Sequence, residues 1–129
     1  MVKHLKIYKN FNINANHKGS IILIGNFDGL HIGHQKLFRL AKRFKKRFSL
    51  DVGVLTFEPM PKMFFDKKLK NFRISNLEQK ISFLKNFDVD FVIIKKFDKR
   101  FSKTKSINFI RNILKLKLKT KFIFVSNNF

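Results

Sequence analysis

Residues 25–34 of the chain are Gly25-Asn26-Phe27-Asp28-Gly29-Leu30-His31-Ile32-Gly33-His34. They follow a short apolar run, residues 20–24, and precede a segment whose apolar residues recur at helical spacing. This pattern predicts a buried strand that enters a glycine-containing turn and continues into a helix. In an open α/β sheet, ligands bind at such a place, outside the carboxyl end of a strand.

The two histidines, His31 and His34, fall at or within the first turn of the predicted helix. The unpaired backbone N–H groups and the helix dipole already favour an anion there, and two imidazole rings add hydrogen-bond donors. We expect no metal site, because a third ligand is missing and a metal site needs three or four. The residues therefore indicate a site that handles phosphate.

The stretch contains three glycines, and glycine is common in turns of any protein because it adopts backbone conformations that other residues avoid. A functional interpretation adds close approach of the backbone to a nucleotide at Gly25, Gly29 and Gly33. Gly33 lies between the histidines, where its missing side chain lets adenosine or phosphate pack on the helix start. Asp28 either orients the loop or reaches a metal-bound water.

Length and composition indicate one ordinary domain. The chain has 129 residues, of which 44% are hydrophobic, enough to bury a core. No apolar run approaches the length of a membrane span, and the first residues lack the apolar region of a signal peptide. The absence of cysteine excludes disulfides, thiolate metal sites and cysteine nucleophiles. We expect a cytoplasmic protein without a membrane segment.

The charge balance is extreme, with 29 Lys+Arg against 8 Asp+Glu and a formal net charge of +21. One interpretation is a nucleic-acid or other anionic partner. We favour the other, mutational bias, since the abundant Phe, Lys, Asn and Ile have A/T-rich codons and the lysines are scattered. Any nucleic-acid binding is then expected to be weak, non-specific and steeply reduced by salt.

The rest of the chain alternates predicted strands with predicted helices. We predict strands over residues 20–24, 51–57, 89–94 and 121–125, and helices over residues 34–47 and 75–87. The long segment 58–72 is predicted to be a loop. Strand–helix alternation is typical of a parallel sheet with helices on both faces and right-handed crossovers.

Three segments are less regular. Residues 1–17 are predicted to form a leader, with Ile7, Tyr8, Phe11 and Ile13 suited to a short strand or hairpin arm. A third helix is predicted after Ser102 or Ser106 as its N-cap, with four inward residues: Ile107, Ile110, Ile113 and Leu114. Residues 115–119 alternate Lys and Leu, which fits a strand or a helix end.

Residues 25–34 resemble the G-x-F-D-x-x-H-x-G-H motif of the HxGH nucleotidyltransferases. The form with Asn before Phe and Gly after Asp is similar to bacterial FAD synthetases, the FMN adenylyltransferase domain of bifunctional riboflavin kinase/FAD synthetase. The resemblance implies a Rossmann-like nucleotidyltransferase fold over residues 18–129, incomplete at the C-terminus. It also implies transfer of AMP from ATP to FMN, giving FAD and pyrophosphate, with Mg²⁺.

The resemblance assigns residues to both substrates. It implies that His31 and His34 contact the ATP phosphates and stabilise charge as the α-phosphoryl group is attacked. The other residues that it places at ATP are Gly25, Asn26, Phe27, Asp28 and Gly33. Residues 56–61 resemble the family's T-F-E-P-H-P, which implies that Pro59, Met60 and Pro61 lie beside FMN. Met60 replaces the family's histidine, so that a polar contact is lost.

Further segments resemble the family at lower specificity. Residues 126–129 resemble its G-x-[DN]-F, which implies that Asn128 touches FMN or the reacting phosphates, with Ser126 in place of glycine. Residues 73–80 and 97–101 also resemble family segments, and we interpret both as structural.

The largest departure lies at the C-terminus, where the family continues into a further strand and a loop whose arginine grips the ATP phosphates. Nothing here matches that loop or the riboflavin kinase domain. We therefore expect a fragment, a split polypeptide or a decayed gene product, which self-associates or lacks its C-terminal half. Two alternatives stay open: another HxGH adenylyl- or cytidylyltransferase, or a non-catalytic nucleotide- or RNA-binding remnant.

Overall fold

A computed structural model describes residues 5–27, 32–59, 65 and 77–126, with only the backbone described at Ile32 and Gly33. Five parallel strands form one sheet in the order β1-β4-β3-β2-β5. The strands are β1 (Lys6–Tyr8), β2 (Ile21–Ile24), β3 (Val52–Glu58), β4 (Phe91–Lys96) and β5 (Phe122–Val125). The predicted α/β class with a parallel sheet is confirmed.

The helices cover both faces of this sheet. They are α1 (Ile32–Phe48), α2 (Leu77–Leu84), α3 (Lys99–Ser102) and α4 (Ser106–Asn108), which leads into a π-helix (Phe109–Lys117). One core cluster joins Val52 and Val54 to Phe38 of α1, and the other joins Leu55 to Leu114 of the π-helix. Successive strand residues point to opposite faces, so that β3 supplies both clusters. Within the described residues, no helix has the length and apolar character that a bilayer crossing needs.

The described part of the expected leader, residues 5–17, is joined to the sheet. Strand β1 pairs in parallel with β4, in a register that sets Tyr8 opposite Ile93. Tyr8, Phe11 and Ile13 are buried, and the Tyr8 hydroxyl lies 2.7 Å from Nδ1 of His17. The short strand that these apolar residues suggested is present, and its partner is distant in sequence.

The third helical segment differs from the prediction in its cap and in its inward residues. The N-cap of this segment is Lys105, which makes no side-chain cap hydrogen bond, so the predicted cap at Ser102 or Ser106 is wrong. The preceding short helix α3 does have a side-chain cap, since Asp98 accepts from the Phe101 N–H at 2.8 Å. The prediction that Ile107 and Ile110 face inward is wrong, because their exposed fractions are 55% and 51%.

The predicted inward residues Ile113 and Leu114 do pack on the core, and Leu118 is buried with them. The helical spacing changes at Phe109 to that of a π-helix, in which the Leu118 N–H donates to the Ile113 carbonyl at 2.9 Å, five residues back, so residues before this change do not share the inward side. The alternating Lys-Leu segment is a helix end rather than a strand, since its first three residues belong to the π-helix.

Strand β5 is an edge strand that carries two exposed apolar side chains, Ile123 and Val125, with exposed fractions of 42% and 53%. An unprotected edge with apolar side chains is a template for pairing with another chain. We expect self-association that increases with concentration in sedimentation velocity, and a monomer after Ile123→Lys and Val125→Lys together. Ile107→Lys, at a similarly exposed residue of α4, is the matched control. A wild-type chain that stays monomeric at every concentration would contradict this expectation.

Candidate nucleotide site

The strand order places a topological switch point between β2 and β5. From β2 the chain proceeds to β3 and β4 on one side, whereas β5 pairs with the other side of β2. Ligands of open α/β sheets bind in the crevice outside the carboxyl ends of the two strands at such a point. Gly25 follows β2 and Ser126 follows β5, so the glycine-containing stretch opens at this crevice.

Gly25 and Ser126 are packed directly against each other. A Cβ atom at Gly25 would lie 2.7 Å from Ser126 Oγ and 2.9 Å from Ser126 Cβ, so no side chain fits there. The Gly25 N–H donates to the Leu55 carbonyl at 3.2 Å, and the Ser126 N–H donates to the Ile24 carbonyl at 2.9 Å. The serine that replaces the family's glycine is therefore accommodated, because position 25 has no side chain.

Phe27 anchors the start of the loop. Its ring is fully buried and packs against the rings of His34 and Phe38, with centroids 5.2 and 5.4 Å away. Its φ of +50° is unusual for a bulky residue and costs on the order of 1–3 kcal/mol, which the burial of the ring offsets. The predicted contact of Phe27 with ATP therefore does not involve its ring, which holds the turn from within the core.

His34 lies in the first turn of α1, as the spacing predicted, since this helix begins at Ile32. It is only 7% exposed, and its ring meets Phe27 edge-on at an interplanar angle of 68°. The ring is therefore held in place before any ligand arrives. His31 and Asp28 lie outside the described residues.

Asn26 contributes a polar atom at the same turn. Its Oδ1 is buried and accepts no hydrogen bond from the part of the chain that the structure describes. A buried acceptor left without a donor costs about 1–3 kcal/mol, and such atoms in native structures often mark functional positions. This oxygen is available to a donor on a ligand.

The carboxyl end of β3 borders an aromatic cavity that the sequence did not predict. The cavity has a volume of about 330 Å³, and five phenylalanines line it: Phe57, Phe65, Phe97, Phe101 and Phe109. Phe97 and Phe101 are four residues apart in the sequence, which was the only local signal. Of the residues predicted at FMN, Pro59 follows β3 directly. The other three, Met60, Pro61 and Asn128, lie outside the described residues.

Lys80 is a second feature that the sequence did not predict, since the resemblance over residues 73–80 indicated only a structural role. Its side chain is 1% exposed, and its Nζ donates to Oγ1 of Thr56 on β3 at 3.3 Å. Lys80 shares the inward side of α2 with Leu77 and Leu84, and a lysine in such a pattern was the available signal. An ammonium group is thereby buried near the carboxyl end of β3.

The described residues contain no group of three or more His, Cys, Asp or Glu side chains that could hold a metal ion. The site as described therefore consists of a close glycine–serine contact, a buried histidine, an amide oxygen and the start of a helix of 17 residues. This arrangement suits the binding of a phosphate group by backbone and imidazole donors.

The sequence model of the FAD synthetase family matches residues 13–129. A bifunctional riboflavin kinase/FMN adenylyltransferase from Buchnera aphidicola subsp. Acyrthosiphon pisum is 38% identical over 118 residues, which cover 92% of this chain and 38% of that relative. The protein of the same description from Escherichia coli K12 is 35% identical over 115 residues, which cover 89% of this chain and 37% of the relative. This chain thus spans about two fifths of the length of the curated relatives that it matches.

A solved structure described as a macrolide-efflux protein from Streptococcus pneumoniae superimposes with a TM-score of 0.78 at 24% identity. The match covers 97% of this chain and 41% of the other. At this identity the likeness shows the fold alone, which is the α/β arrangement described above.

Proposed function

The chain belongs to the FAD synthetase family, and from that premise we propose that it forms the AMP-transferring part of an FMN adenylyltransferase. The reaction joins FMN to the AMP part of ATP and gives FAD and pyrophosphate. The observation that carries this proposal is the crevice between β2 and β5, where Gly25 meets Ser126 and α1 begins beside the buried His34. Relatives at 38% and 35% identity are described by that activity.

In the proposed complex, the triphosphate of ATP lies at the start of α1. Backbone N–H groups of the first turn and the ring of His34 donate to its oxygens, and His31 is predicted to do the same. A phosphate oxygen of FMN attacks the α-phosphorus in line, and the bond to the pyrophosphate oxygen breaks. Fixed donors that match the developing negative charge are the main contribution of protein groups to such transfers.

We propose Mg²⁺ as a companion of ATP rather than as a resident metal. Mg²⁺ is commonly held by substrate phosphates and one or two carboxylates, so ATP itself supplies most of its ligands. When bound, it neutralises negative charge on the phosphates. Asp28, predicted to orient the loop or to reach a metal-bound water, is the acidic residue of the stretch.

FMN as the acceptor is supported by the aromatic cavity at the end of β3. Flat phenyl rings suit the planar isoalloxazine ring, since offset and edge-on ring contacts add to the burial of apolar area. Pro59 lies directly after β3, and Met60, Pro61 and Asn128 remain predicted FMN neighbours. A polyol phosphate or a sugar phosphate has no aromatic ring to stack in such a cavity, so the cavity favours FMN over acceptors of these kinds.

The test is turnover and binding by the purified chain. We expect FAD to form from ATP, FMN and Mg²⁺, detected by chromatography, with FMN preferred over nicotinamide mononucleotide and glycerol phosphate as acceptor. Binding of an ATP analogue and of FMN without turnover would favour the non-catalytic remnant. Binding of neither ligand would contradict the proposal. Because both proposed substrates are cytoplasmic metabolites, we place the reaction in the cytoplasm.

A further inference from the structure

A second cavity lies outside the carboxyl ends of β1 and β4, away from the crevice between β2 and β5. Its volume is about 430 Å³, and it is lined by charged and aromatic side chains that include Phe11, Lys95, Asp98, Arg100, Phe101 and Lys117. The three cations come from three elements: β4, α3 and the π-helix. Their convergence on one concave surface is therefore a product of the fold rather than of a run of basic residues.

Among the described residues, the positive charge at this cavity is only partly neutralised. Asp98 is the one carboxylate among the described residues that line it, and it accepts a hydrogen bond from the Phe101 N–H at 2.8 Å. That hydrogen bond, with the nearby ammonium groups of Lys95 and Lys96, lowers the pKa of the Asp98 carboxyl, which stays ionised at neutral pH. Within the described part of the chain, the three cations form no ion pair. One negative charge thus faces three positive charges.

Lys95 is held in place by aromatic rings. Its Nζ lies 5.5 Å from the ring centroid of Phe101 and 5.8 Å from that of Phe11. Contacts between a cation and a ring face are attractive, but they leave the positive charge intact. The ammonium group is therefore oriented in advance and remains able to bind an anion.

We propose that this basic cavity binds the phosphate group of a small phosphate monoester, at a site separate from the nucleotide crevice. Neighbouring strands are about 4.8 Å apart, and β3 lies between β4 and β2, so the two sites are on the order of 10 Å apart or more. They also lie towards opposite faces, since Phe11 belongs to one core cluster and Phe27 to the other. Lysine and arginine donors form strong charge-assisted hydrogen bonds with phosphate oxygens.

The shape favours a small ligand over nucleic acid. Other described basic residues lie exposed along the outer side of α1, where a nucleic-acid backbone would bind without a defined position. Here the cations surround a concave space that also shares Phe101 and Thr104 with the aromatic cavity.

The experiment compares two variants that each lose three positive charges. The cavity variant is K95Q/R100Q/K117Q, and the matched control is R39Q/K42Q/K46Q, whose residues lie exposed on α1. Backbone amide shifts of Phe101, Thr104 and Ile113 are followed by NMR during titration with inorganic phosphate and with ribose 5-phosphate. We expect saturable shifts in the wild type and the control, and about tenfold or more weaker binding in the cavity variant.

Three outcomes would overturn the proposal. The first is the absence of saturable shifts at these amides, and the second is equally weakened phosphate binding in the cavity variant and the control. The third is a cavity variant that binds a short oligouridine more weakly but binds inorganic phosphate and ribose 5-phosphate as the wild type does. The last outcome would assign the cavity to nucleic acid instead. If the triple variant does not fold, judged by its amide spectrum, K117Q alone provides the comparison, because Lys117 is exposed.

Discussion

Substitution of His34 with alanine is expected to weaken the binding of an ATP analogue with Mg²⁺ by about tenfold to a hundredfold in isothermal titration. Loss of one donor to a developing charge costs about 2.7–4 kcal/mol in a dry site, and we expect less where water replaces the donor. His34 is only 7% exposed, which limits that replacement. His31→Ala is expected to act in the same direction.

The structure adds a requirement to this experiment. The ring of His34 lies 5.2 Å from that of the buried Phe27, so this side chain contributes packing as well as a donor. Alanine therefore removes packing as well as a donor, and a loss of stability is expected alongside the loss of affinity. His34→Asn keeps an N–H donor in less volume, so it should retain more affinity than alanine at a similar cost in stability.

The matched control for this series is Gln35→Ala, the exposed neighbour on the same turn of α1. It should leave both the affinity for the ATP analogue and the unfolding temperature unchanged. Equal affinity for the ATP analogue in the wild type, in His31→Ala and in His34→Ala would remove the reason for placing a nucleotide here. Variants that lose stability but bind ATP normally when folded would show that His34 serves only packing.

The elements that the sequence predicted best are those with a strong local signal. The apolar run before Gly25 predicted residues 20–24, and the strand is Ile21–Ile24. The periodic segment after it predicted residues 34–47, and the helix is Ile32–Phe48. A strand, a glycine turn and a helix start are all encoded within a few residues, and the position of Gly25 and His34 follows from them.

The features that the sequence did not predict depend on distant partners or on unusual helical geometry. The sequence predicted a short strand or hairpin arm near Tyr8, but the pairing of β1 with β4, which sets Lys6 beside Phe91, depends on a distant segment. In the last helical segment Leu114 was predicted inward and is buried, whereas Ile107 and Ile110 are exposed, because the helical spacing changes at Phe109 to that of a π-helix. The aromatic cavity joins Phe57 to Phe109 from separate elements, and no single window of sequence contains it.

The candidate site could be predicted only in part, because some of it is local in sequence and some of it joins distant segments. Its half at β2 and α1 is contiguous in sequence, and there the structure places Gly25, Asn26, Phe27 and His34 around one turn. The half that receives the acceptor is assembled from several segments. The burial of Lys80 against Thr56 depends on how α2 packs on β3, which composition and spacing do not encode.

The other large effect is expected in the core, at Gly53 of β3. A Cβ atom there would lie 2.2, 2.3 and 2.8 Å from three atoms of the Phe91 ring. The ring cannot move aside easily, because Phe91 is fully buried and stacks on His17 with centroids 4.5 Å apart. Overpacking a core costs typically about 1–3 kcal/mol and occasionally more, and we expect Gly53→Ala to lie at or above the upper end.

Urea denaturation of four chains tests this expectation: the wild type, Gly53→Ala, Phe91→Leu and the double variant. Phe91→Leu alone should destabilise the fold, because it leaves space beneath His17, but it should recover much of the stability in the Gly53→Ala background. The coupling free energy of this cycle then isolates the clash between the two positions. Gly19→Ala is the matched control, since its nearest atom would be 3.8 Å away and its φ of +80° gives a backbone penalty without a clash. If Gly53→Ala destabilises the chain no more than Gly19→Ala does, or if leucine at position 91 gives no recovery, the close packing of β3 on β4 is not what fixes a glycine at position 53.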